Sequence, residues 1–184
     1  GMQVWSAEWG YPGDGTYREF HRKDGVSGLQ YWRVTGPRLD LGQKQLYAPQ
    51  AAFERASEHA RHYAGVVEDV VAHSPVEADR YPIIASNYDT ELFGHWWFEG
   101  VHWLKEVLRI LSASETVELT TASSYLAAHP PSDVLALPEG SWGAGGTHFT
   151  WDNVDNHWFW PVIHAAEERM ERLVSAYPDA GPDR

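Results

Sequence analysis

The sequence contains no cysteine in 184 residues. Disulfide frameworks, thiolate metal sites and cysteine nucleophiles are therefore excluded. Positive charge is scarce: Lys and Arg number 14 against 26 Asp and Glu, for a formal net charge of −12. Nucleic acid and anionic membrane surfaces reward clustered cations, so neither is an expected partner. No apolar run approaches the roughly 20 residues of a membrane span, and no basic-then-apolar leader opens the chain. With the absence of cysteine, this points to a cytoplasmic protein. Gly-x-Ser-x-Gly and His-Glu-x-x-His patterns are missing, and the glycines near residue 145 are not followed by Gly-Lys-Ser/Thr, so a phosphate loop is not expected. The sequence calls for no cofactor and no metal.

What is present is apolar and aromatic. Hydrophobic residues make up 43% of the chain, which argues for a folded core, and there are ten Trp, nine Tyr and six Phe. The length suits one domain or a compact pair of subdomains.

Periodicity predicts a long helix over 49–73, with Pro49 in its first turn and Ala52, Ala56, Ala60, Tyr63, Ala64, Val67 and Val71 at three- and four-residue spacing. Further helices are expected over Trp97 to Leu111, from Ser123/Ser124 through Ala128, and over 157–177. Short strands are expected at Val4–Ser6, Leu29–Thr35 (LQYWRVT), Tyr81–Ser86 (YPIIAS, read as a buried strand of a parallel sheet) and Thr116–Thr121 (TVELTT).

Three segments could carry chemistry. In the run Asn87 to Gly100, Asp89 and Glu91 stand two apart, just beyond the expected strand end, among five aromatics and His95. Aromatic walls that desolvate a carboxyl raise its pKa and make it a candidate general acid. The competing assignment has Asp89 capping the next helix and Glu91 pairing with a surface cation. In the run Leu137 to Asn153, glycines permit left-handed backbone, and Trp142 and Trp151 offer flat apolar faces with one N–H each, which suits sugar rings. The same tryptophans could instead fill a core beneath the loop. The third segment, Val4 to Asp14, alternates acids and aromatics and says little alone. His59 and His62, three apart on the long helix, read as solvated histidines, since nothing nearby completes a metal-ligand set.

At YDTELFGHWWFEG (88–100) the sequence resembles glycoside hydrolase family 57, and most closely its 1,4-α-glucan branching-enzyme-like members. QVWSAEWGYPGD, YREFHRKDG, YWRVTG, LPEGSWGAGG and HAAEERM continue the resemblance over about residues 3–174. It implies an α/β, helix-rich fold: the C-terminal part of an incomplete (β/α)7 barrel, with a few short, mostly parallel strands and following helices. The division expected is 2–121 for the C-terminal half of the barrel-like domain, 122–177 for a helical subdomain with the Trp/Gly loop, and 178–184 for a polar tail.

The resemblance further implies a retaining enzyme that cleaves or transfers α-glucan chains, with Asp89 as general acid/base. Trp5, Trp142 and Trp151 match groove-lining aromatics, and His95 and Glu91 lie in the same motif as Asp89. The family's nucleophilic glutamate lies upstream of the segment matching Gln3–Trp5, so this sequence is expected to hold the acid without the nucleophile and to be nearly inactive alone. The alternatives are a non-catalytic α-glucan-binding module and one half of a split enzyme. Thr147 stands where many relatives carry an acid. The expected partners are α-glucan or maltooligosaccharide, an N-terminal barrel half and, for the isolated chain, further copies of itself, since half a barrel leaves open edges and apolar surface.

Overall fold

Four small residues set the architecture. Ala52, Ala56, Ala60 and Ala64 recur every four positions and are all fully buried. They form one stripe of a 25-residue helix, Pro49–His73. The computed structural model of the chain describes residues 2–36, 38–74, 81–131, 133–179 and 181. Its α-helices are α1 (Met2–Trp5), α2 (Pro49–His73), α3 (Gly100–Leu111), α4 (Ala122–Ala128) and α5 (Phe159–Ala176). Two compact units divide the chain, Gly1–Pro130 and Pro131–Arg184.

The first unit is built on α2 and α3. A stripe without side-chain bulk lets a partner helix approach closely. Trp103, Val107 and Leu111 of α3, at four-residue spacing, are buried in the same cluster as the alanines. Tyr11, Tyr17, Leu92 and Trp97 close that core from the loops. Trp103 is its aromatic centre, stacked on Phe93 at 6.0 Å and edge-on to Tyr63 at 5.0 Å. The loop that carries Tyr11 is pinned at Gly13: a Cβ there would stand 2.0 Å from the carbonyl oxygen of Ala7, so only glycine fits.

The expectation of an α/β fold with part of a parallel barrel sheet is corrected here. Among the described residues there is no strand, only isolated bridges: Arg18 with Arg33, Trp32 with Leu46, and Phe93 with Trp97. Helical hydrogen bonds are local, whereas a strand exists only where a neighbour completes its ladder. LQYWRVT does find short antiparallel partners, with Glu19 N–H donating to the Trp32 carbonyl at 2.9 Å and Arg33 N–H to that of Gln45 at 2.9 Å. The pairing stops at Thr35, whose φ of 58° turns the chain away. Val4 and Trp5, expected in a strand, lie in α1.

YPIIAS forms no strand and pairs with none, with Ile83 49% and Ile84 41% exposed rather than buried. Side chains hold this segment instead. Tyr125 of α4 donates its hydroxyl to the Tyr81 carbonyl at 2.6 Å, and Tyr63 of α2 meets Ser86 at 3.1 Å. TVELTT likewise forms no strand, and its last residue caps α4: Thr121 Oγ1 accepts the Ser124 N–H at 3.1 Å. Among the described residues, no helix is long and apolar enough to cross a membrane.

Candidate functional site

In the first unit, the residues after YPIIAS form a tight turn. A single 3-10 turn spans Thr90–Leu92, followed by hydrogen bonds from Trp97 N–H to the Leu92 carbonyl (2.8 Å) and from Gly94 N–H to that of Trp97 (2.8 Å). Leu92 and Trp97 are driven into the core, while Asp89, Glu91, His95 and Trp96 face solvent. Neither alternative assignment for the two acids holds. Asp89 precedes the 3-10 turn without a side-chain cap, and Glu91 accepts the indole N–H of Trp96 at 3.3 Å instead of meeting a cation. Asp89 is exposed, so the desolvating aromatic wall expected around it is not formed by this chain.

Beside this turn lies a cleft of about 500 Å³ lined by Trp5, Phe20, His21, Arg22, Leu92 and Trp96, among others. Phe20 packs against Trp96 at 4.5 Å and against His95 at 5.3 Å. Three of the expected substrate-binding residues thus gather around one cleft: Trp5 in its wall, His95 against Phe20, and Glu91 through Trp96. Phe20 was not singled out in the sequence, because nothing local in YREFHRKDG distinguishes it from a core phenylalanine.

Glu99 was also missed. Its side chain is fully buried. Oε1 accepts the Arg18 N–H at 3.1 Å, and the buried Tyr47 hydroxyl lies against the carboxyl without the alignment of a proper hydrogen bond. Burial pushes the carboxyl above its ordinary value, and the Tyr47 hydroxyl and Arg18 N–H only partly offset this. With a raised folded-state pKa, the stability that Glu99 contributes is complete below its ordinary pKa and is lost as pH rises through the folded value. The neutral isostere Glu99→Gln is therefore expected to gain in melting temperature relative to the native chain as pH goes from 4 to 8. Thermal denaturation across that range checks it, and a difference independent of pH would contradict it.

His59 and His62 are not merely solvated. The Tyr17 hydroxyl meets His59 Nδ1 at 2.7 Å, the Tyr11 hydroxyl meets His62 Nδ1 at 2.7 Å, and Tyr11 stacks on His59 at 4.6 Å. Burial holds the His59 imidazole below its ordinary pKa, helped by Arg55 and opposed by Asp14. These pairs tie α2 to the Tyr11–Tyr17 loop. Among the described residues, no group of three or more His, Cys, Asp or Glu could hold a metal ion.

In the second unit, the Trp/Gly loop folds on its own hydrogen bonds. Gly145 and Gly146 take φ of 66° and 71°, which a residue with a Cβ adopts only under strain. Their turn lets Ser141 N–H reach the Gly146 carbonyl at 3.0 Å and Ser141 Oγ reach that of Thr147 at 2.6 Å. Trp142 meets Trp151 edge to face at 4.9 Å, yet Trp142 is 86% exposed. It does not fill a core. Trp160 donates its indole N–H to the Trp151 carbonyl at 2.9 Å.

No family model matches the chain. It is similar in sequence to the 1,4-α-glucan branching enzyme of Thermococcus kodakarensis, 49% identical over 178 residues. That match takes in 96% of this chain and 26% of the relative. Its backbone is similar to the crystal structure of the GH57 branching enzyme of the same archaeon (TM-score 0.76, 48% identity, covering 96% of this chain and 32% of that one). It is also similar to that of the GH57-type branching enzyme of Pyrococcus horikoshii (TM-score 0.74, 48% identity, 96% and 33%). The chain therefore spans about a quarter to a third of the length of the relatives it matches. Sequence and backbone agree in placing it in glycoside hydrolase family 57, as a branching-enzyme-like chain.

Proposed function

We propose that the chain is the acid/base-bearing part of a retaining α-glucan-active enzyme of the branching type, with Asp89 as general acid/base. A retaining mechanism needs a second carboxyl about 5–5.5 Å away as nucleophile. By resemblance to the family, that group lies in a preceding part of the enzyme, which would also supply the wall that desolvates Asp89. In the first unit Trp5 presents a ring face to glucan, with His95 and Glu91 contacting it beside Asp89; in the second unit Trp142 and Trp151 present ring faces to glucan. Alone, the chain binds glucan but turns it over poorly, since loss of one member of a catalytic pair costs orders of magnitude.

The observation that carries the glucan-binding part of this reading is the exposure of Trp142, 86%, in a loop closed by its own hydrogen bonds. A large apolar ring kept in solvent by a well-bonded loop is a surface for a ligand, and a sugar ring offers the matching C–H face. The test is quenching of Trp emission by maltoheptaose. Saturable quenching at millimolar sugar is expected, with loss of most of it in Trp142→Ala. An unchanged emission up to tens of millimolar would contradict the platform. The same observation supports the second reading, a non-catalytic glucan-binding module, which differs only in that no preceding half ever restores turnover.

A further inference from the structure

The loop beside the tryptophan pair holds a second feature. His157 Nδ1 lies 2.6 Å from Asp152 Oδ1. Asp152 directly follows Trp151, so the pair is joined to the aromatic platform by one peptide unit.

The turn carrying this pair is over-determined. Asn153 donates its side-chain amide to the Phe149 carbonyl at 2.9 Å, and its backbone N–H bonds Asn156 Oδ1 at 2.7 Å. Asn153 Oδ1 accepts the Asp155 N–H at 2.9 Å, and His157 N–H bonds the Asn153 carbonyl at 2.8 Å. The turn is therefore closed by its asparagines and backbone, and does not need the carboxylate–imidazole bond to keep its shape. Both side chains remain in solvent, 68% exposed for His157 and 48% for Asp152.

The bond between them fixes what they present. A carboxylate only accepts, so Nδ1 carries the hydrogen, and in the neutral ring Nε2 is then left as an acceptor. Asp152 keeps Oδ2 as a second acceptor. Two acceptors, tied to each other and one residue along the chain from a platform tryptophan, match the free vicinal hydroxyls of an α-1,4-linked glucosyl ring, whose C–H face stacks on an aromatic ring and whose O–H groups point along its edge.

We propose that Asp152 and His157 form the polar rim of the Trp142–Trp151 platform and accept hydrogen bonds from vicinal hydroxyls of a bound glucosyl unit. This rests on the glucan-binding reading above. The rim orients the sugar on the stacking face, and a bond to a charged carboxylate is stronger than a neutral one.

The experiment is a maltoheptaose titration followed by Trp emission on the full chain, with a melting curve for each variant. Asp152→Asn keeps the shape and an acceptor toward His157 but removes the charge, and is expected to weaken binding about tenfold with the melting temperature unchanged. His157→Phe removes the ring acceptor and is expected to weaken binding by a similar factor. His157→Ala, which removes the acceptor without adding apolar bulk, stands in if the phenylalanine variant melts early. Native-like affinity in the Asp152 and His157 variants, with binding still lost in Trp142→Ala, would overturn the rim and leave the platform standing. Absence of binding by the native chain would overturn the platform and the rim together.

Discussion

Asp89→Asn is expected to lower glucan transfer about 10²- to 10⁴-fold when the chain is joined to the preceding part of the Thermococcus kodakarensis branching enzyme. The size follows from what the acid does. Departure of a sugar alkoxide at neutral pH requires a proton at the glycosidic oxygen, and an amide cannot supply one. The same reasoning predicts where the loss shrinks. A maltosyl fluoride needs far less protonation to leave, so formation of the glycosyl-enzyme should be much less impaired with that substrate. A defect equal for both donors would mark Asp89 as something other than the acid. Asp89 is already exposed at the tip of its turn and makes no side-chain cap there, so the substitution should leave the melting temperature unchanged.

Trp103→Ala is expected to destabilise the first unit by about 3–5 kcal/mol, the range for a buried aromatic truncated to a methyl group. Trp103 is 1% exposed and contacts rings from three separate stretches: Tyr11, Tyr63 and both Phe93 and Trp97 of the Asp89 turn. No neighbour can move into its volume without releasing another, so the cavity should collapse little. Against a total stability of about 5–15 kcal/mol, the variant should unfold at a far lower urea midpoint. Trp103→Phe should fall between the two. A midpoint shift worth less than about 1 kcal/mol would mean that Trp103 is not the centre of this core. Because Phe93 and Trp97 belong to the turn that follows Asp89, this same packing is what positions that turn.

The contrast between helices and strands shows what a single sequence carries. The period of Ala52, Ala56, Ala60 and Ala64, with Pro49 before them, defines α2 because helical hydrogen bonds close within four residues. YPIIAS carries the apolar content of a buried strand, but the groups that would pair with it are not local, and the chain leaves it unpaired and exposed. A pattern can propose a strand; only a neighbour can make one.

The site divides in the same way. Trp5, Glu91 and His95 were named by the family resemblance and not by local spacing, and the fold brings them around one cleft through Phe20 and Trp96. Glu99 was not legible as a buried charge, although an acid set between Phe98 and Gly100 in an aromatic run was the available signal. The Tyr17–His59 and Tyr11–His62 pairs join residues 42 and 51 positions apart, beyond any local spacing rule.

The most direct test of the central claim is proton NMR of amylose incubated with the chain alone and with the chain joined to the preceding half of its Thermococcus relative, counting new α-1,6 linkages. The account predicts branches from the joined protein and none from the chain alone. Branching by the chain alone would contradict the division of the carboxyl pair between two parts, and a folded, joined protein that forms no branches would contradict the assignment of this chain to glucan transfer.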